Sequence, residues 1–194
     1  MKTDERCNKE YEVYKELPLL VSVTELYSLY RQNRVKCVSF APFLSEYMRV
    51  YGISTPKRIW AFLATIGVES GSLLYVEEIA SGVAYEGRKD LGNVVKGDGV
   101  RFKGRGLIQV TGRSNYAAVS EALGVDFVSN PCKLRELPYS VSGSCWWWWK
   151  NGCNEIADRG DMVAIRKRVN GGLNGYNEFV KLYKRAKEIW KEER

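Results

Sequence analysis

A change of pattern constrains the fold of this chain most. Helical periodicity holds on either side of residues 80–112 and fails within them, where glycines recur. A chain built this way is mainly α, with a small irregular or β-containing insert in its middle. Before the insert, Ser22 and Glu25 stand at capping-box spacing and open a short helix to about Tyr30. A second apolar stretch covers residues 40–51 and stops at Gly52. Thr55-Pro56 then predicts a helix start, with Thr55 as cap and proline at the first helical position. Ile59, Phe62, Leu63 and Ile66 share one face of that helix, which ends near Glu69 and is broken by Ser70-Gly71-Ser72.

Beyond the insert, helices are predicted near residues 115–123, 139–150, 161–169 and 177–191, while Leu107-Ile-Gln-Val reads as a short strand or hairpin arm. The 194 residues suffice for one domain with its own core, and no repeat or low-complexity linker divides them. Residues 1–18 read as a charged tail or docked helix, and residues 19–194 as the folded domain.

The chain contains no histidine. Ser-His-Asp and Cys-His sites are therefore excluded, as are most hydrolytic zinc sites, and acid–base work falls mainly to Asp and Glu. No metal or cofactor is expected. Thirty Lys plus Arg against 23 Asp plus Glu give a formal charge of +7. The basic residues form no run or recognised nucleic-acid motif, so the charge reads as attraction to an acidic substrate or as solubility, and no nucleic-acid partner is expected. Five cysteines, an odd number without zinc-type spacing, read as reduced and mostly buried thiols. The N-terminal residues lack a signal peptide's apolar core, and no stretch approaches membrane-spanning length. Synthesis in the cytoplasm and action as a monomer, without stable membrane insertion, are the resulting expectations.

Two carboxylates are the leading candidates for chemistry. Glu69 ends an apolar helix, and a carboxyl held against apolar surface has its charged form disfavoured, which suits an acid working near neutrality. Glu78 lies nine residues on. In one unbroken helix the two would stand about 13 Å apart on different faces. The break at Gly71 lets the chain turn both toward one cleft. The plainer reading makes Glu69 a helix-end residue and Glu77/Glu78 an exposed acidic pair. The segment Lys103-Gly-Arg-Gly-Leu-Ile-Gln-Val-Thr-Gly112 alternates glycine with hydrogen-bonding side chains, and extended geometry would point Gln109 and Thr111 to one side. Four consecutive tryptophans, Trp146 to Trp149, must face most of a helix's circumference. Core packing suits most of them, with one at most beside a cleft.

These residues resemble glycoside hydrolase family 19, in particular its phage endolysin and bacterial branch. The likeness runs from about Val21 to the C-terminus. It is carried by Glu69-Ser-Gly, Glu78, Tyr85-Glu-Gly-Arg88, Gly97-Asp-Gly99, Phe102 through Tyr116, the Trp-rich segment ending Lys150-Asn-Gly, and Val169-Asn-Gly-Gly-Leu-Asn-Gly175. Val68 stands where the family commonly has His, Gly71-Ser72 where it has Gly-Gly, and Ile79 where Asn often follows the second Glu. The resemblance implies a lysozyme-like α-helical fold with two lobes around a substrate cleft, making residues 19–194 a catalytic domain. It implies inverting hydrolysis of β-1,4 links beside N-acetylglucosamine, with Glu69 as general acid and Glu78 as the base that activates water. Thr111 matches a water-positioning hydroxyl, Gln109, Asn115 and Asn170 match substrate-binding amides, and Arg185 matches a basic residue contacting the acidic site.

With the basic surface, the expected partner is the peptidoglycan strand, cut during bacterial lysis in the periplasm after release by a holin or a secretion machine. Chitin is the alternative substrate, and a catalytically weak wall-binding module the alternative class.

Overall fold

The computed structural model describes residues 18–191; the segment read as a charged tail or docked helix, with Cys7, lies outside them but for Pro18. Among the described residues the chain forms nine α-helices: α1 (Val23–Tyr30), α2 (Arg34–Val50), α3 (Pro56–Glu69), α4 (Asp98–Arg101), α5 (Arg113–Leu123), α6 (Tyr139–Lys150), α7 (Cys153–Asp158), α8 (Met162–Asn170) and α9 (Tyr176–Ile189). The capping box of α1 forms as the sequence predicts: Ser22 N donates to Glu25 Oε2 at 2.8 Å and Glu25 N to Ser22 Oγ at 3.2 Å. Helix α2 starts at Arg34, capped by Asn33, rather than at residue 40. Val35 and Val38 on its first turns are exposed, so no apolar stripe announces them, and Pro42 sits inside the helix where its missing N–H reads as a break. Thr55 holds the N-cap position of α3 in extended conformation, but its hydroxyl makes no cap bond. The six-residue α7 was not legible in the sequence.

Two apolar cores lie side by side. The larger gathers side chains from α1, α2, α3 and α9, of which α3 and α9 pack together most extensively. The smaller is built from Phe102, Val110, Tyr116, Val119, Phe127, Leu134 and Trp146. Helix α6 is the wall between them. Residues two apart on a helix point about 200° from each other, so Trp148 enters the larger core while Trp146 enters the smaller. Trp147 is half-buried, and Trp149 is exposed beside the ring of Tyr51.

The glycine-rich insert carries only short helical turns, α4 among them, and is held by polar side chains. The Glu86 carboxylate accepts the backbone N–H groups of Gly97 (2.6 Å) and Gly99 (2.8 Å). Buried Asn93 donates to Tyr85 O and accepts from Arg113 N, each at 2.9 Å. Its β content is limited to antiparallel bridges pairing Glu77 with Arg105 and Arg105 with Val110. The strand expected at Leu107-Ile-Gln-Val is instead a turn. Arg105 N donates to Val110 O at 3.1 Å and Val110 N to Arg105 O at 2.8 Å, and Gln109 takes φ 65°.

Buried Asp98 is paired with Arg113, whose Nε lies 2.8 Å from Oδ2. The Arg113 hydrogen bonds hold the Asp98 carboxyl below its ordinary range, outweighing the opposing effect of burial. A depressed folded-state value contributes stability that is present above the unfolded value near 4 and is lost as pH falls through the folded one. Arg113→Met is therefore expected to lower the unfolding temperature clearly at pH 7, with the gap to the parent narrowing at pH 3 and below. Thermal unfolding across that window checks it. A gap that stays constant with pH would refute the pairing as its source.

No disulfide links the described cysteines: Cys37, Cys145 and Cys153 are buried thiols, and burial pushes the Cys153 thiol up to about 12. No described helix is long and apolar enough to cross a membrane.

Candidate active site

Glu69 closes α3, and the chain then reverses through three successive left-handed residues, Gly71 (φ 57°), Ser72 (φ 62°) and Leu73 (φ 70°). For Ser and Leu this conformation costs about 1–2 kcal/mol each. Local hydrogen bonds and burial offset it: Ser72 N donates to Gly67 O (2.7 Å), Leu73 N to the Ser70 hydroxyl (2.9 Å), and the Leu73 side chain is fully buried. The outcome is a tight reversal that brings residues 75–80 back past the end of α3. Glu69, Tyr75, Glu77, Glu78, Ile79, Tyr85, Gln109 and Thr111 all line one open cleft of about 420 Å³.

The three carboxylates in this cleft have different surroundings. Glu77 is clamped: Arg105 Nε donates to its Oε1 at 3.0 Å, Lys103 Nζ lies 3.6 Å away, and Arg135 holds Oε2. Burial alone would raise this carboxyl, but the hydrogen bond from Arg135 and the charges of Arg105 and Lys103 bring it below its ordinary value. Its charge is already spent in holding the insert together. Glu78 has neutral partners at its carboxylate. Its Oε1 accepts the Tyr85 hydroxyl at 3.0 Å and its Oε2 accepts Gly104 N at 3.1 Å, while its own N–H donates to Gly104 O at 2.9 Å. Each oxygen keeps a lone pair for a further donor. Glu78 is thus oriented without being neutralised, as a base requires.

Glu69 differs from the apolar setting expected of it. Its Oε1 accepts a 2.8 Å hydrogen bond from Nη1 of Arg166, whose side chain is 1% exposed. Arg166 also donates to Asn174 O at 2.5 Å, so Glu69 is tied to the loop that follows α8. The family resemblance puts Arg185 at the acidic site, but in the structure Arg185 donates to Leu29 O at 2.7 Å and lies in a separate groove. The three adjacent cations Arg166-Lys167-Arg168 offered no signal of which one turns inward.

Gln109 and Thr111 reach the cleft through the turn described above. Helix α6 supports that turn, since its Ser140 carbonyl and Ser144 hydroxyl accept Leu107 N and Ile108 N, each at 3.2 Å. The Thr111 hydroxyl donates to Gln109 O at 2.9 Å, leaving its lone pairs free to accept from water. Gly104 packs closely against Gln109: a Cβ there would stand 2.7 Å from Gln109 Oε1. Two other expected amides are engaged within the protein. Asn115 donates to Thr111 O at 2.7 Å, and Asn170 closes its own loop, donating to Asn174 O at 2.8 Å and accepting from Gly172 N at 3.0 Å. Neither they nor any of the four tryptophans are among the residues lining the cleft. Among the described residues, no three His, Cys, Asp or Glu side chains gather as a metal site needs.

Tyr85, quoted above only within a motif, is the residue that orients Glu78. Burial and the hydrogen bond to Glu78 raise its hydroxyl above the ordinary value, so it stays a donor. Tyr85→Phe is expected to lower kcat about tenfold, the scale of one lost hydrogen bond to a charged group, with little change in KM. Steady-state kinetics test this; a change confined to KM would assign Tyr85 to substrate binding instead.

No family model matches the chain. Among curated proteins it is 38% identical over 107 residues to a Glycosyl hydrolase family 19 domain-containing protein of Haemophilus influenzae, a match covering 55% of this chain and 52% of that one. It is 32% identical over 130 residues to an endochitinase of Arabidopsis thaliana, covering 64% of this chain and 43% of that one. The chain thus spans about half the length of these relatives, or less. Its fold is shared with chitinase C from Streptomyces griseus, at a TM-score of 0.68 and 20% identity over 89% of this chain and 77% of that one. A bacterial family 19 chitinase shares it too, at a TM-score of 0.69 and 21% identity over 88% and 94%. The chain is thus similar in sequence to glycoside hydrolase family 19 proteins over part of its length, and it shares the helical fold of family 19 chitinases.

Proposed function

We propose that this chain is an inverting glycoside hydrolase that cuts β-1,4 bonds in the glycan strand of peptidoglycan. The observation that carries the reading is that Glu69 and Glu78 open onto one cleft whose lining also includes Thr111 and Gln109. In this reading Glu69 gives its proton to the leaving oxygen as an oxocarbenium-like centre develops, and Arg166 receives the resulting carboxylate. Glu78 takes a proton from a water on the opposite face of the sugar, and the Thr111 hydroxyl holds that water by accepting its other hydrogen. Gln109 supplies an amide to the sugar. The net charge of +7 favours an anionic wall polymer over a neutral one. Lysis of the cell wall by a protein delivered to it through a pore or a secretion machine would follow from that substrate.

A second reading, hydrolysis of β-1,4-linked N-acetylglucosamine in chitin, is favoured by the chitinase names of several relatives. Parallel digestion of purified sacculi and chitooligosaccharides separates the two. The proposal expects new reducing ends from sacculi without new free amines, and the α-anomer first in the product's NMR spectrum. Turnover of chitooligosaccharides alone would establish the second reading. Binding to sacculi with no turnover of either would make this a wall-binding module.

A further inference from the structure

The groove that holds Arg185 plays no part in the chemistry above. It lies between the end of α1 and the surface of α9, measures about 500 Å³, and is lined by Arg31, Lys181, Lys184 and Arg185 against one carboxylate, Glu188. Four cations and one anion leave three positive charges in a single concave surface. Among the described residues, no carboxylate lies within ion-pair distance of Arg31, Lys184 or Arg185; Lys181 alone shares an exposed contact, at 3.4 Å with Glu178. One of the cations is fixed by a side-chain bond and another by its backbone. Arg185 is pinned to Leu29 O at 2.7 Å, and Arg31 ends α1 in left-handed conformation (φ 54°), its N–H bonded to Tyr27 O at 2.7 Å. Such backbone strain persists only where surrounding structure enforces it.

The groove also adjoins the cleft. Gln32, next in the chain to Arg31, donates to Gly71 O at 3.2 Å. Gly71 follows Glu69 by two residues, and Tyr75, whose ring would lie 3.0 Å from a Cβ at Gly71, lines the cleft. Groove and cleft therefore flank one turn.

We infer that this groove is an auxiliary binding site for carboxylate groups carried by the polymer whose glycan backbone occupies the cleft. The inference rests on the proposed function and narrows it: a neutral glycan gains nothing from the groove. A strand bearing peptide carboxylates at intervals gains a second, linked contact beside the scissile bond. Linking two weak contacts on one polymer raises retention well beyond either alone, and the clustered charge makes that retention sensitive to salt.

The test is sedimentation of the full-length Glu69→Gln protein with phosphate-free sacculi, alongside the same protein carrying Arg31→Glu, Lys181→Glu and Lys184→Glu. Retention is expected to weaken about tenfold on reversing the three charges. It is expected to weaken comparably when the sacculus carboxylates are amidated with carbodiimide, an arm that needs no variant. Equal unfolding temperatures for the two proteins establish that the reversals leave the fold intact. Retention indifferent to both the reversals and amidation overturns the inference. So does retention lost on reversal yet unchanged by amidation, because the groove would then be reading something other than carboxylate. Release of reducing ends by the unsubstituted protein is measured separately: if sacculi yield none, the proposed function fails whatever the groove binds.

Discussion

Glu69→Gln is expected to lower turnover about a thousandfold while leaving substrate binding nearly intact. The amide is close in shape to the carboxyl, and its oxygen can still accept the hydrogen bond from Arg166 Nη1. It has no proton to give. A general acid contributes about 10²–10⁴ to rate, and the cleft's remaining walls, Tyr75, Gln109 and Thr111 among them, are untouched by the change. The loss should thus fall on kcat rather than KM. Glu78→Gln is expected to behave alike, since the amide can take Tyr85's hydrogen bond yet cannot accept a proton from water. Glu77→Gln is the informative contrast. Its carboxylate is bound by Arg105, Lys103 and Arg135, so its neutralisation leaves three cations short of a partner. The expected outcome is a lower unfolding temperature, with turnover in the folded protein reduced far less than in either other variant. Reducing-end assays on the three proteins check this. Equal losses for Glu77→Gln and Glu78→Gln would remove Glu78 from its role.

That contrast marks where the sequence stops being legible. Local signals were readable wherever the cause is local. The α1 capping box, Pro56 at the start of α3 and the break after Glu69 depend on residues within a turn of one another. The insert was recognisable because glycines there interrupt any helical period. Partner choice among long charged side chains was not recognisable, because it is decided by tertiary position. Nothing local says that Arg166 rather than Arg185 meets Glu69, or that Glu77 binds cations while its neighbour Glu78 binds a phenol and a backbone amide. Adjacent residues in an extended segment point to opposite sides, so neighbouring acids can acquire unrelated tasks. Gln109 and Thr111 were expected to reach one side through a strand. They reach the cleft through a turn with Gln109 left-handed, a conformation that Arg105–Val110 pairing and the α6 contacts impose from outside.

Trp148→Ala is expected to be the most destabilising substitution within the run Trp146 to Trp149, by about 3–5 kcal/mol. The side chain is fully buried, meets Phe62 edge-on at 5.4 Å between ring centroids, and donates from Nε1 to Asn154 Oδ1 at 2.9 Å. Truncation opens a cavity in the larger core and also leaves a buried acceptor unpaired on Asn154, whose Nδ2 holds Tyr51 O at 2.9 Å. For a protein of this size the unfolding temperature should fall by about 10 °C, against a total stability of only about 5–15 kcal/mol. Trp149, one residue on, is 55% exposed, and its replacement by alanine should cost under about 1 kcal/mol. The asymmetry follows from α6 standing between two cores, where a step of one residue turns a side chain by about 100°. Thermal unfolding of the two variants decides it. Similar losses for both would mean that the four tryptophans act as one interchangeable apolar belt, and that α6 does not divide the molecule as its two buried faces imply.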